Sequence, residues 1–412
     1  MSSGLPRLLA PGSLLLALVF FAGCATAPSA YVEPAPLAAS DRHALNVQVF
    51  DAVQKLVAEK HYDPKLHGVN WPALGAQYRP AAEAAANDAE LYRVLGQMCG
   101  ELHESHLNPL PPRRTHELKT ASRMAVGMGW ATIDRRQVIT EVIPGGPASE
   151  AGVQTGWIVT SCEGHPLGDG PPLSPSQGRP ITYGFLDLTN EARAITFQPQ
   201  LLKFDQLVSR DLPNGYRYLR FDKFDAESLH WLSRELKAHR AAPGVVLDLR
   251  NNPGGYIYSA SMAIGEFFPH RVDFGEVTKR NGTTKEAHGW PIFSAHYAGK
   301  VAILTSPATG SAAEIFSHVL QYERRATVIG RRTAGAVEIS RMFNLPGGGT
   351  LQVPIQDYRG RDGRRLEGRG VLPDIAVAAP ALADLRGGRD LDLETAITSL
   401  TSRPKGVLTA SK

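Results

Sequence analysis

The chain has 412 residues, of which 43% are hydrophobic and 20% are charged, and its formal net charge at pH 7 is +4. These values are typical of a globular protein with room for two or three domains. The charge is spread along the chain without a compact Lys/Arg block interleaved with aromatic residues, so we expect no nucleic-acid partner.

The first residues predict export and a lipid anchor. Arg7 precedes an apolar run that is too short to span a bilayer and that ends at Cys24. The ending Phe21-Ala-Gly-Cys24 resembles the bacterial lipobox, whose cysteine becomes the lipidated first residue of the mature protein. We predict a signal peptide over residues 1–23, a flexible Ala/Pro/Ser-rich tether over 24–40, and a periplasmic or outer-membrane-anchored lipoprotein held through Cys24. An ordinary cleaved signal with an incidental cysteine is the alternative.

A helical cap is predicted next, over residues 41–115. Apolar residues recur at helical spacing from Asp41, as at Leu45, Val49 and Val53, and again over residues 88–102. The cap contains the stretch Leu102-His-Glu-Ser-His106, and the prolines that follow it prevent that helix from continuing.

A β-rich unit is predicted over residues 122–200, where short β-type runs are punctuated by glycine. Residues 144–156 resemble the signature of bacterial PDZ domains, with Trp157 where that signature commonly has Asp. The resemblance implies capture of a peptide C-terminus by strand addition, with backbone N–H groups binding its carboxylate. The matching residues are Pro144, Pro147, Ala148, Ala151, Gly152, Val153 and Gly156, and the candidate carboxylate loop is Val126, Gly127, Met128 and Gly129.

Strands and helices then alternate, which predicts an α/β domain over residues 201–385 and a C-terminal segment over 386–412. Residues 216–221, 245–249 and 301–305 are predicted strands, and 225–239 and 312–322 are predicted helices. The run 245–249 is apolar apart from Asp248, as in a parallel sheet that is covered on both faces. The predicted fold class is a multi-domain α+β chain with an α/β core.

Ser311 and a glycine loop together suggest a serine site. Ser311 precedes a predicted helix, so its hydroxyl would lie where backbone N–H groups face outward. The loop Asn251-Asn-Pro-Gly-Gly255 follows a predicted strand, and its glycines allow a close approach to a substrate carbonyl. We therefore predict an oxyanion hole from the Gly254 or Gly255 amide and the Ala312 amide. A serine N-cap and an ordinary turn are the alternatives.

These two motifs and the PDZ-like insert resemble the tail-specific, or C-terminal processing, serine proteases over residues 41–377. The resemblance implies that Ser311 is the nucleophile of an endopeptidase that acts on exported proteins or peptides, with recognition through their C-termini as an expectation. Neither a cofactor nor a metal is expected. The Ser/Lys branch takes its base from a Thr-Phe-Gly-Lys-Gly pattern, and here Ala336 replaces that lysine. A serine needs a base at neutral pH, so Ala336 also raises the alternative of an inactive, PDZ-containing peptide-binding lipoprotein.

The tricorn-core branch of the same family places its base elsewhere. It uses a histidine from the helical cap, in a Leu-x-Asp-x-His-like motif that residues 102–106 match with Glu104 in place of Asp. The resemblance implies that His106 is the general base.

The same resemblance implies the partners of His106. Residues 366–374 resemble the closing motif of the branch, which makes Glu367 the carboxylate that acts through the Ser105 hydroxyl. Glu314 is a supporting residue or stabilises only the first helical turn. A structural histidine at position 106 and a surface ion pair at Glu367 are the alternatives. The His103/His106 pair does not have the spacing of a His-Glu-x-x-His zinc helix.

Overall fold

The computed structural model describes residues 29–167, 178–291 and 296–401. The predicted signal peptide and the anchor residue Cys24 lie outside these ranges. Within them, no helix combines the length and the apolar character needed to cross a membrane. Cys99 and Cys162 are buried free thiols.

The N-terminal region is a packed group of three helices, α1 (Ala39–Lys60), α2 (Trp71–Glu83) and α3 (Asp88–Gly100). The helical spacing of Val49 and Val53 in α1, and of Leu91 and Leu95 in α3, directs these side chains into one shared core. The sequence did not predict α2, because only three of its residues are buried and they give no clear apolar pattern.

Two short elements, β1 (Asn108–Leu110) and α4 (Pro112–Thr120), follow α3. The helix α3 ends before the prolines, as predicted. Pro112 itself begins a new helix, because the first residue of a helix needs no N–H donor. The helix α4 therefore extends past residue 115, where the sequence had suggested the end of the helical cap.

A β-rich region follows, and its core contains Trp157, Tyr183, Phe185 and Phe197. Antiparallel strands run in the order β3-β4-β5-β7-β8 with β6 beside β5, and the ribbon β2-β9 joins the chain entering this region to the chain leaving it. The elements are β2 (Ser122–Ala125), β3 (Met128–Ile133), β4 (Arg136–Val142), α5 (Pro147–Glu150), β5 (Ile158–Cys162), β6 (His165–Pro166), β7 (Ile181–Leu186), β8 (Ala192–Phe197) and β9 (Gln200–Lys203).

The C-terminal half is built on a six-stranded sheet of order β10-β11-β12-β15-β16-β19, in which only β10 is antiparallel to its neighbour. Its elements are β10 (Leu207–Asp211), β11 (Arg217–Phe221), α6 (Ala226–Ala238), β12 (Gly244–Asp248), α7 (Ile257–Gly265), β13 (Val272–Lys279), β14 (Thr284–Gly289), β15 (Lys300–Thr305), α8 (Ala312–Tyr322), β16 (Thr327–Gly330), β17 (Ile339–Asn344), β18 (Thr350–Gly360), β19 (Ile375–Ala376), α9 (Leu382–Arg386) and α10 (Leu391–Thr401).

The central strand β12 is buried along its whole length. Val245 and Leu247 belong to the core cluster that contains residues of α6, α7 and α8, whereas Val246 packs in the cluster formed with α10. Both faces of the sheet are thus covered, which explains the mainly apolar run that the sequence shows. The mixed α and β architecture agrees with the predicted fold class.

A second sheet joins the N-terminal region to the C-terminal half. Its order is β1-β18-β13-β14, with β17 also paired to β18. The short strand β1 from the N-terminal region is antiparallel to β18, with Asn108 opposite Gln352. His106 stands two residues before β1, so this pairing carries it towards the C-terminal half.

Candidate active site

Ser311 occupies the N-cap position of α8, directly after the loop that follows β15. Its backbone has φ +51° and ψ −121°, a conformation that residues other than glycine rarely adopt. Such strain persists where surrounding contacts stabilise it. The N–H of Ser311 donates to the Ala336 carbonyl oxygen at 2.7 Å. The residue is half-buried, so its hydroxyl can be reached.

Glu314, one turn into α8, helps to fix the strained backbone of Ser311. Its side chain is fully buried, and one carboxylate oxygen accepts the N–H groups of Ser311 at 3.0 Å and of Ala336 at 2.8 Å. The other oxygen accepts the Gly335 N–H at 2.7 Å and the Thr333 hydroxyl. Burial raises the pKa of this carboxyl, and the four hydrogen bonds oppose the rise. Glu314 therefore ties the nucleophile position to the segment in which Ala336 replaces lysine.

The glycine loop after β12 lies against Ser311. A Cβ on Gly254 would come within 2.6 Å of the Ser311 Cβ, so only glycine fits at this distance. Asn252, which is fully buried, uses its side-chain oxygen to accept the Gly254 N–H at 2.9 Å. Of the two glycine amides predicted for the oxyanion hole, that of Gly254 is therefore already engaged, whereas no hydrogen bond within the described chain uses the N–H of Gly255 or Ala312.

His106 meets Ser311 across 205 positions of sequence. Its Nε2 atom lies 3.2 Å from the Ser311 Oγ atom, and its Nδ1 atom lies 2.7 Å from the Ser105 Oγ atom. The backbone of Ser105 is held in turn, because the Asn108 side-chain N–H donates to its carbonyl oxygen at 2.8 Å. The structure thus aligns three of the predicted side chains in the order Ser105, His106, Ser311.

The environment of His106 favours the neutral imidazole. The residue is 7% exposed, and burial lowers its pKa from the ordinary histidine value, while the charges of Glu367 and Glu104 act in the opposite direction. A neutral ring can accept a proton from Ser311, which is the property that a general base needs.

Glu367 lies near His106 but does not make the predicted hydrogen bond to Ser105. Its carboxylate accepts the Val337 N–H at 2.7 Å, and one of its oxygens lies within 4.8 Å of a His106 ring nitrogen. The expected relay through the Ser105 hydroxyl is therefore absent among the described contacts. The neighbouring Arg365 pairs with Glu338 and Asp357, so the alternative of a surface ion pair at Glu367 gains no support from it.

Glu338 is a site residue that the sequence reasoning missed. It is 1% exposed, and one of its oxygens lies within 4.8 Å of both the His106 ring nitrogen and a Glu367 oxygen. Burial, together with the neighbouring carboxylate of Glu104, raises the pKa of Glu338. Arg365, which approaches Glu338 to 3.0 Å, acts in the opposite direction. A lone glutamate after a segment that lacks the family lysine gave no pattern from which to predict this.

The predicted carboxylate loop at residues 126–129 is a tight turn into β3. The Val126 carbonyl oxygen accepts the Ala148 N–H, and the Gly127 carbonyl oxygen accepts the Ile143 N–H, both at 2.8 Å. Gly127 has φ +80°. Met128 and Gly129 pair with β4, opposite Val142 and Glu141.

A cavity of about 390 Å³ opens beside the glycine loop, and its lining includes Gly254 and Gly255. Residues of α4, of the β-rich region and of the large sheet close it together. Positive and negative side chains both line it, namely Arg114, Glu117, Arg123, Glu141, Asp205, Arg220, Asp222 and Lys223. The cavity therefore connects the region around Ser311 with the boundary between the β-rich region and the core.

Two family models match the chain. Residues 215–377 match peptidase family S41, and residues 43–100 match the tricorn protease C1 domain. The first match contains Ser311, the glycine loop and Glu367, and the second ends shortly before the loop that carries His106.

Sequence relatives cover most of the chain. It is 25% identical over 401 residues to the carboxyl-terminal-processing protease of Synechocystis sp., with 92% of this chain and 91% of the relative covered. It is also 25% identical over 382 residues to a Streptomyces coelicolor protein that is named as a tricorn protease homologue, but the match spans only 32% of that longer protein.

Solved structures share the fold. The photosystem II D1 C-terminal processing protease superposes with a TM-score of 0.56 at 20% identity, covering 87% of this chain and 97% of the other. The tricorn protease superposes with a TM-score of 0.51 at 20% identity, covering 87% of this chain and 36% of the other. Together with the family matches, these similarities identify the chain as a serine peptidase with a peptidase family S41 domain over residues 215–377.

Proposed function

We propose that the protein is a serine endopeptidase in which Ser311 attacks a peptide carbonyl with His106 as the general base. The observation that carries this proposal is the 3.2 Å contact between His106 Nε2 and Ser311 Oγ, made by a buried ring whose pKa is lowered by burial. This contact also argues against the inactive peptide-binding protein that Ala336 suggested.

The reaction follows from the positions of the groups. His106 takes the Ser311 proton as the hydroxyl oxygen attacks, and the resulting imidazolium then protonates the leaving amine. Ser105, at 2.7 Å from Nδ1, fixes the ring, and the nearby charge of Glu367 stabilises the imidazolium. The amides of Gly255 and Ala312 stabilise the oxyanion. Water then attacks the acyl-Ser311 ester by the same steps and releases the second product.

The base comes from the N-terminal region, as in the tricorn-core branch. The match of residues 43–100 to the tricorn C1 domain supports this assignment, as does the absence of any lysine between Lys300 and Lys405. Glu367 and Ser105 belong to the same proposed set, although their mutual hydrogen bond is not present in this structure.

The test uses single replacements of the nucleophile and the base. We expect S311A and H106A each to abolish cleavage of a denatured protein substrate and labelling by a peptidyl phosphonate. Circular dichroism would check that both variants remain folded. Undiminished cleavage by either folded variant would contradict the mechanism.

We further propose that the substrates are exported proteins or peptides and that the β-rich region is a PDZ-like module that captures their C-termini. The motif at residues 144–156 and the turn at residues 126–129 support this part of the proposal. Peptides that end in a free carboxylate should then be cleaved faster than the same peptides with a C-terminal amide. Equal rates for the two forms would remove the support for C-terminal capture.

We also propose a lipid anchor at Cys24, which rests on the lipobox-like sequence alone. Growth with radiolabelled palmitate should label the wild-type protein and leave C24S unlabelled. Label on C24S would show that Cys24 is not the acylated residue.

A further inference from the structure

A second group of ligand-type side chains lies outside the catalytic set, where α1 ends. It consists of His61, His67 and Glu104, and one ligand atom from each lies within 4.8 Å of the others. His61 directly follows α1, His67 lies in a short helical turn, and Glu104 precedes the Ser105–His106 pair. Three separate segments of the N-terminal region therefore meet at one point.

His61 brings a buried nitrogen that has no hydrogen-bond partner among the residues that the structure describes. The residue is fully buried, and its Nε2 atom makes no hydrogen bond; the Glu104 Oε1 atom lies 3.6 Å away. Its Nδ1 atom lies 3.1 Å from the Asp63 carbonyl oxygen and 3.1 Å from the Asp63 nitrogen, whose N–H donates to it. A metal at Nε2 would select the other tautomer, in which Nδ1 donates to the carbonyl oxygen and Nε2 is unprotonated, as is usual for a metal-bound histidine.

His67 is oriented by the same residue. Its Nδ1 atom lies 3.3 Å from the Asp63 carboxylate, and its Nε2 atom contacts Glu104 Oε1 directly. Asp63 is itself fixed, because its carboxylate accepts the backbone N–H groups of Lys65 and His67 at 2.9 and 2.8 Å. A carboxylate that holds one ring nitrogen so that the other faces a ligand position is a recurrent support of metal sites.

Glu104 completes the set. Its side chain is 2% exposed and receives the Tyr62 hydroxyl at 3.1 Å. The side chain of His67 is 38% exposed, so the cluster opens to solvent on that side. An ion could therefore enter without unfolding of the surrounding helices.

We propose that His61 Nε2, His67 Nε2 and the Glu104 carboxylate bind a zinc ion. Two imidazoles and one carboxylate are a common zinc set, and a water molecule would fill the fourth position on the open side. Ca²⁺ and Mg²⁺ prefer oxygen ligands only, so the two histidines disfavour them. The ion would connect the end of α1 to the loop that carries Ser105 and His106, and so would position the catalytic base without touching the substrate.

The test measures metal binding by the tag-free chain from Ala25 onward, stripped with a chelator. Titration calorimetry with Zn²⁺ should give one ion per chain, and Co²⁺ should give the visible absorption band of a tetrahedral complex. The deciding variant is H67N, which should lose at least tenfold in Zn²⁺ affinity. Its matched control is H103N: His67 and His103 both have φ +54°, which Asn tolerates, and His103 lies outside the cluster.

A second control separates this site from the catalytic one. A ring nitrogen of His106 and one oxygen each of Glu338 and Glu367 also lie within 4.8 Å of one another. H106A should therefore keep the high-affinity Zn²⁺ site. Loss of the site in H106A or H103N but not in H67N would overturn the proposal, and so would the failure of the folded wild-type chain to bind either metal.

Discussion

Replacing Glu314 with glutamine tests how firmly this residue holds the nucleophile. The carboxylate accepts hydrogen bonds from four donors, two at each oxygen. Glutamine keeps the shape but turns one oxygen into an NH₂ group, which cannot accept. The orientation of that amide decides the size of the effect.

The less costly orientation places the NH₂ group beside Thr333, because the Thr333 oxygen can accept a hydrogen bond. The oxygen of the glutamine then keeps the N–H groups of Ser311 and Ala336, and the Gly335 N–H is left buried without its acceptor. An unsatisfied buried donor costs about 1–3 kcal/mol. The opposite orientation would leave the Ala336 N–H and the new NH₂ group without acceptors, at about twice that cost, while the Ser311 N–H would keep only the Ala336 carbonyl oxygen.

We therefore expect E314Q to lose about 1–3 kcal/mol of unfolding free energy, or roughly 2–4 °C in melting temperature for each kcal/mol. Because the Ser311 contact survives in the preferred orientation, kcat/KM should fall by about tenfold or less, since about 1.4 kcal/mol corresponds to a factor of ten.

Differential scanning calorimetry and initial rates on a fluorogenic peptide would measure both effects. The control is E323Q at the other end of α8, where the Glu323 side chain pairs, within the described part of the chain, only with the half-exposed Arg361. Such surface pairs contribute about 0–1 kcal/mol. A melting temperature for E314Q no lower than that of E323Q would refute the reasoning.

Three further predictions concern the same site. S105A should lower kcat by roughly 10- to 100-fold, because a hydrogen bond worth about 1–3 kcal/mol no longer fixes the His106 ring; an unchanged kcat at saturating substrate would contradict this role. In a chelator-containing buffer, the acid limb of the kcat/KM profile should have a midpoint below the ordinary histidine pKa. Burial lowers the pKa of His106, so the base stays neutral to lower pH. A midpoint above pH 6.5 would contradict this prediction. G254A should abolish phosphonate labelling because its Cβ would lie 2.6 Å from that of Ser311, whereas G152A, also at positive φ but with nothing within 4 Å, should label normally.

The sequence predicted the large sheet well because its signals are local. The apolar run at residues 245–249 corresponds closely to β12, and the predicted helix at residues 312–322 has the bounds of α8. The second sheet was not predicted, since the pairing of β1 with β18 joins segments that are far apart in sequence. No local pattern in a three-residue strand can reveal its partner.

The same limit applies to the candidate site. The motifs located Ser105, His106 and Ser311, which the structure brings into line. They could not show that Asn252 engages the Gly254 amide or that Glu338 lies buried beside the base with a raised pKa, because these relations depend on burial and on distant neighbours. The Ser105–Glu367 hydrogen bond, expected from resemblance alone, is the relation that the structure does not reproduce.

The pairing of β1 with β18 sets when this enzyme can become active during its own synthesis. The base and the nucleophile are 205 positions apart, and the strand that receives β1 lies later still, at Thr350–Gly360. A chain that is still emerging from a ribosome has Ser311 before it has β18. Such a nascent chain lacks the strand that places His106, so neighbouring proteins and the chain itself are spared from cleavage until nearly all of the molecule has been synthesised.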